Sequence, residues 1–144
     1  MRDISKQKGF TLVELMLVVV IIGLLAGLAV PNIMKQLGKA KIGKAQGDIT
    51  TLDNALSMFA MQVGDYPTTE QGLKALMTNL DNNPEWNGPY LRKGIPSDPW
   101  KEAYVYRRES NHENVDFDLY SKGPDKQENT DDDIGNWSTE SKVE

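Results

Sequence analysis

Four aspartates fall within nine residues near the C-terminal end: Asp125, Asp131, Asp132 and Asp133. Carboxylates this dense either bind a hard cation or stay solvated as a charged loop. Calcium takes about six to eight oxygens from carboxylates, carbonyls and water. The order is not that of an EF-hand, because Gln127 and Asn129 stand two and four residues after Asp125 and no Glu occupies the twelfth position. A fifth carboxylate, Glu14, poses a different problem. It lies inside an apolar run, where a charge costs about 2.5–3.5 kcal/mol near a bilayer centre on insertion scales, so it calls for a partner. The single histidine, His112, sits in a polar loop and reads as a surface residue. No serine nucleophile elbow, phosphate-cradling glycine loop or zinc motif is present. With no cysteine, disulfides, thiolate metal sites and a cysteine nucleophile are excluded. Asp65 and Asp98 adjoin Tyr66 and Pro99 and read as turn residues. This inventory describes a protein that is not an enzyme.

The charge is unevenly placed. The chain of 144 residues carries a net −5, with +2 in its first nine residues and −5 in its last twenty. An acidic body argues against nucleic acid as a partner, since phosphate backbones need clustered Lys and Arg. Phe10 to Val30 is a run of 21 residues with only Thr11 and Glu14 polar. As a helix it would span roughly 31 Å, near the hydrocarbon thickness of a bilayer. Lysines from Lys35 onward make the second flank basic as well, but Arg2, Lys6 and Lys8 crowd a very short leader. The N-terminus is therefore read as cytoplasmic, with the rest of the chain outside.

Elements that would position these groups follow from pattern. Ile42, Ala45, Ile49, Leu52, Leu56, Phe59 and Val63 recur at helical spacing. One long helix is expected over about 11–62, bent or loosened near Gly27 to Pro31 and stopped by Gly64-Asp65-Tyr66-Pro67. Thr68 to Gln71 has the form of a capping box opening a short helix through about Thr78. Strands are expected at Ala103–Arg107 and Asp116–Tyr120, joined by a hairpin loop at Glu109–Asn114. A long acidic loop, Lys122–Asp133, follows and ends in Ile134-Gly135-Asn136-Trp137. Most aromatics, together with Met58 and Met61, are expected to pack the strands against the Ile49–Val63 face.

Three readings of the N-terminus compete. A secretory signal peptide would be cut after Ala29, at the small-x-small Gly27-Leu28-Ala29; a plain signal anchor would keep the span. Neither accounts for Glu14. The third rests on Gly9-Phe10-Thr11-Leu12-Val13-Glu14, which resembles the processing site of the type IV pilin and pseudopilin family. That resemblance implies cleavage after Gly9 by a prepilin peptidase, N-methylation of the new terminal Phe10, and use of Glu14 in assembly. The new amine at Phe10 would carry the charge that Glu14 needs, within one subunit or between neighbours.

The remainder of the chain resembles the G-type pseudopilins of type II secretion. Gly64 to Leu73, Gly88-Pro89-Tyr90-Leu91, Pro96 to Trp100, Ser121 to Asp125 and Asp131 to Trp137 carry the likeness. It implies an α+β, type IV pilin-like fold: a long N-terminal helix, half membrane-spanning and half amphipathic, packed on a small antiparallel sheet with a C-terminal calcium loop. It also implies calcium held by the side chains of Asp125, Asp132 and Asp133 and the carbonyls of Lys122 and Gln127, with Asp131 solvated. Lys101 and Ala103 depart from the family's Gly and Pro, and Lys122 from its usual Leu. The implied organisation is a cleaved leader at 1–9, an assembly helix at 10–30 and a periplasmic domain at 31–144. The implied role is the major subunit of a periplasmic homopolymer that drives export of folded proteins. Its partners would be copies of itself, the peptidase/N-methyltransferase, the inner-membrane assembly platform and minor pseudopilins. The alternatives are a surface-fibre pilin, disfavoured by the absent cysteines and the acidic loop, and a monomeric, signal-anchored calcium-binding domain.

Overall fold

The structure is a computed structural model and describes residues 9–137, apart from the side chains of residues 28–32. The expected leader therefore lies outside the described residues except for Gly9, and the expected bend near Gly27–Pro31 falls largely on the undescribed side chains. The chain divides into two compact units, Met1–Lys39 and Ala40–Glu144.

Helix α1 runs Leu12–Val63, 52 residues. In the first unit its large apolar side chains are exposed on every face, from Leu12 through Leu25 and again at Ile33, Met34 and Leu37. Among the described residues no helix is long and apolar enough to cross a membrane. The expected span continues from 27 through 28–30, outside the described side chains.

In the second unit α1 buries one stripe: Ala45, Ile49, Leu52, Ala55, Leu56 and Phe59. These are the expected positions with three adjustments, since Ile42 is exposed, Val63 is only partly buried and Ala55 joins the core. Met58 and Met61 are exposed rather than packed. Met58 is two residues from Leu56, which turns it about 200° around the helix and away from the stripe. Gly64 ends the helix in the left-handed region, φ 101°, where its amide still donates to the Ala60 carbonyl at 2.9 Å.

The expected capping box forms, with Thr68 N donating to Gln71 Oε1 at 2.8 Å and Gln71 N to Thr68 Oγ1 at 3.3 Å. The helix behind it is shorter than expected, a 3-10 segment at Gly72–Leu76. Gly72 takes φ 56°, which closes the capped turn and redirects the chain into a tighter one.

The sheet is antiparallel, ordered β1 (Val105–Arg107), β2 (Asp118–Ser121) and β3 (Ile134–Gly135). Tyr106 pairs with Leu119, and Tyr120 with Gly135. Both expected strands exist but start two residues later. Ala103 forms only an isolated bridge to Ser97, and Phe117 precedes β2 as a core residue. β3 has no counterpart among the expected strands. Every residue of β2 is buried, as its central place requires. On one face Tyr106, Phe117 and Leu119 join the α1 stripe with Leu73, Leu76, Leu91 and Tyr104. Tyr66, Trp86, Tyr90 and Trp100 pack on the edge of this core, as expected of the aromatics. Trp137 differs, lying outside the core and stacked on His112 with ring centroids 3.7 Å apart.

Candidate functional site

Two places hold the residues singled out by chemistry. The first is the start of α1. Gly9 and Phe10 are exposed, Phe10 at 87%. Thr11 precedes the first helical residue and Glu14 lies three residues on. Glu14 Oε2 accepts from Thr11 N at 3.0 Å and from Thr11 Oγ1 at 2.9 Å, while Glu14 N donates back to Thr11 Oγ1 at 3.2 Å. This is a capping box, which satisfies helix-end amides and puts a carboxylate where the helix dipole favours one. The Thr11-x-x-Glu14 spacing carried that signal in the sequence. Glu14 thus has an intrachain role in addition to the assembly role expected of it, and its carboxylate is held by Thr11, the residue after Phe10.

The second place is the loop 122–133. Asp125 Oδ1 accepts from Gln127 N at 2.9 Å, a local turn. Asp133 Oδ2 accepts from Asn129 N at 2.7 Å, and Asp133 N donates to the Thr130 carbonyl at 3.2 Å. Lys126 and Asn129 take left-handed φ values of 60° and 64°, which fold the loop back on itself. Gly123, φ 67°, lies so close to Asp132 that a Cβ there would overlap the Asp132 carbonyl oxygen. The segment bearing the Lys122 carbonyl is thereby brought against Asp132.

The expected ligands come together only in part. Asp132 is exposed and Asp125 is occupied by its own turn. Among the described residues no three Asp, Glu or His side chains form a group able to hold a metal ion. One observation fits a cation. Asp133 Oδ1 is buried with no hydrogen-bond partner, as is Thr130 Oγ1. A buried, unpaired carboxylate oxygen is costly, and a hard cation that takes oxygen ligands would relieve it. The donor set is all oxygen, which suits calcium.

Glu128 is the residue in this loop that no spacing rule points to. Its Oε2 accepts from Arg107 Nη2 at 2.7 Å and from Tyr120 OH at 3.2 Å, and its Oε1 from Lys122 Nζ at 2.8 Å. The Lys122 hydrogen bond chiefly holds Glu128 below the usual carboxylate range, against desolvation, and the same bond raises Lys122. Burial pushes the Tyr120 hydroxyl up to about 12.

His112 lies against the sheet. Its Nδ1 is 3.0 Å from Asp118 Oδ1, and Ser110 Oγ and Asn111 N also donate to that buried carboxylate. Burial would raise Asp118, but these hydrogen bonds and the neighbouring His112 outweigh it and leave the group lowered. The arrangement ties the hairpin loop to β2 and to Trp137. Asp98 is the turn residue expected, accepting from Trp100 N and Glu102 N and from Ser121 Oγ.

Comparison with known proteins gives these sites a family. Residues 32–137 match the family model described as type II secretion system (T2SS), protein G. The chain belongs to the type II secretion system protein G family. Residues 4–30 match the prokaryotic N-terminal methylation motif. Type II secretion system core protein G of Pectobacterium carotovorum subsp. carotovorum is 45% identical over 141 residues, covering 95% of this chain and 88% of the relative. The protein of the same name from Escherichia coli K12 is 44% identical, covering 99% of each chain. The crystal structure of the major pseudopilin from the type 2 secretion system of enterohaemorrhagic Escherichia coli superposes with a TM-score of 0.66 at 35% identity, covering 77% of this chain and 94% of that one. The expected fold, a long N-terminal helix on a small antiparallel sheet, holds for this family member. The secretion reading is favoured over the surface-fibre pilin.

Proposed function

We propose that this member of the protein G family is the major, non-catalytic structural subunit of a pseudopilus. The precursor sits in the inner membrane through residues 10–30 with its N-terminus in the cytoplasm, and a prepilin peptidase/N-methyltransferase cuts after Gly9 and methylates Phe10. Mature subunits leave the membrane through an assembly platform and join minor pseudopilins in a periplasmic homopolymer, whose growth drives folded proteins across the outer membrane.

One observation carries this reading: the first stretch of α1 exposes apolar side chains on all faces. Such a helix is at home only in lipid or among other apolar helices. Cleavage would leave a cationic amine at Phe10, beside the Thr11 that holds the carboxylate of Glu14. Pairing of these charges, within a subunit or between neighbours, would offset the desolvation of both as helices pack, and would set their axial register.

The same reading assigns calcium to the C-terminal loop, with Asp125, Asp132 and Asp133 contributing carboxylates and Lys122 and Gln127 contributing carbonyls. The buried, unpartnered Asp133 Oδ1 supports it. Bound there, the ion would cross-link a long loop in a chain that has no disulfide. Mass spectrometry of the mature protein from cells tests the processing step. Methylated Phe10 as the first residue is the expected result, and an N-terminus at Val30 would overturn it in favour of an ordinary signal peptide.

A further inference from the structure

The two carbonyl donors assigned to calcium, Lys122 and Gln127, are five positions apart. An ion pair joins the first of them to the residue after the second: Lys122 Nζ lies 2.8 Å from Glu128 Oε1. The other oxygen of Glu128 is held by Arg107 of β1 and Tyr120 of β2. The loop segment next to Gln127 is therefore anchored to two strands and to the other donor position. Lys126 adds a further tie, its Nζ 2.9 Å from Glu102 Oε1.

A lone exposed ion pair contributes little, typically under about 1 kcal/mol. Glu128 differs in taking three donors from three places while only 32% of its side chain is exposed. A carboxylate fixed by several donors restricts its segment more than the same bonds made separately would.

We propose that Glu128, clamped by Lys122, Arg107 and Tyr120, closes the 122–133 loop before any ion arrives and holds its two carbonyl donors in register. Glu128 is thus a positioning residue for the two carbonyl donors of the loop. The metal half of the proposal rests on the calcium reading above.

The sign of one substitution separates this account from plain electrostatics. Lys122→Met keeps most of the side-chain bulk and removes a positive charge near the ion. If charge alone mattered, calcium would bind more tightly. If the clamp sets the donors, calcium binds more weakly, about tenfold, and Glu128→Gln does the same. The experiment is calorimetric titration of calcium into the full chain in detergent, paired with hydrogen exchange of the 127–133 amides in chelator. Weaker binding by Lys122→Met supports the clamp; equal or tighter binding overturns its role toward the metal. Protection in chelator that is present in the wild type and lost in Glu128→Gln supports loop closure, and an unprotected wild-type loop overturns it. A wild type that binds no calcium overturns the calcium reading and the register claim together, while the exchange data still decide loop closure.

Discussion

The two stretches of α1 use one secondary structure for opposite purposes. From Ala45 to Phe59 the helix buries a single stripe, with Leu52 and Leu56 fully buried and Met61 on the far side 86% exposed. From Leu12 to Leu25 it has no such sidedness, and every large apolar residue is at least 46% exposed. Amphipathic patterning states that a helix has found its core within its own chain, whereas uniform apolarity states that its partners lie outside it. A mutation should therefore act on stability in one stretch and on assembly in the other.

The largest expected effect is at Glu14. Glu14→Ala leaves cleavage after Gly9 intact and abolishes polymerisation, read by immunoblot for the mature band and by filament yield. Normal filaments would break the comparison at its first point. Next is the core stripe. Leu56→Ala should destabilise the domain by about 2–5 kcal/mol, measured by thermal unfolding of the full chain in detergent, while Leu17→Ala leaves the midpoint unchanged. Equal losses at the two sites would mean that both stretches are cored within the chain.

Calcium sharpens the contrast within the second unit, since only that unit holds the acidic loop. A hundredfold excess over the dissociation constant should stabilise it by about 2.7 kcal/mol, raising the melting temperature, with reversal by chelator. No shift would count against the ion. A smaller effect sits at Lys101, which adopts φ 69°. A non-glycine side chain held there costs on the order of 1 kcal/mol, so Lys101→Gly should raise stability by about that amount in denaturant titration. An unchanged or lowered midpoint would locate a compensating contact at the lysine.

The smallest effect shows itself as a pH dependence in acid. Asp118 has its folded-state pKa depressed, with the hydrogen bonds from Ser110, His112 and Asn111 outweighing burial. A depressed carboxylate contributes stability above its unfolded pKa, about 3.9, and loses it as pH falls through the folded value. Asp118→Asn should accordingly flatten the acid limb of the stability profile below about pH 4. An unaltered limb would assign acid sensitivity to other carboxylates.

The same contrast explains what the sequence made readable. The α1 stripe was readable because one helix face meets one core, so spacing alone reports it. Gly64 and the Thr68–Gln71 box were readable because stop and cap chemistry is local. The strands begin two residues later than their pattern implies, because Ala103 and Asp116 continue an alternation that the sheet does not use. β3 is two residues long and too short for any period. Glu128 carried no signal because its partners, Arg107 and Lys122, are brought to it only by the tertiary fold. Met58 and Met61 misled because they are apolar near a core stripe, and only their helical angle turns them outward.

The central claim is that the apolar stretch of α1 is a seam between copies of this chain. Because the chain has no cysteine, single cysteines can be placed one at a time from residue 12 to 25 and oxidised in cells carrying the secretion machinery. A ladder of cross-linked multimers, dependent on Glu14, is the result the account predicts. Monomer at every position, from a chain shown to be cleaved and present in the membrane, would contradict it.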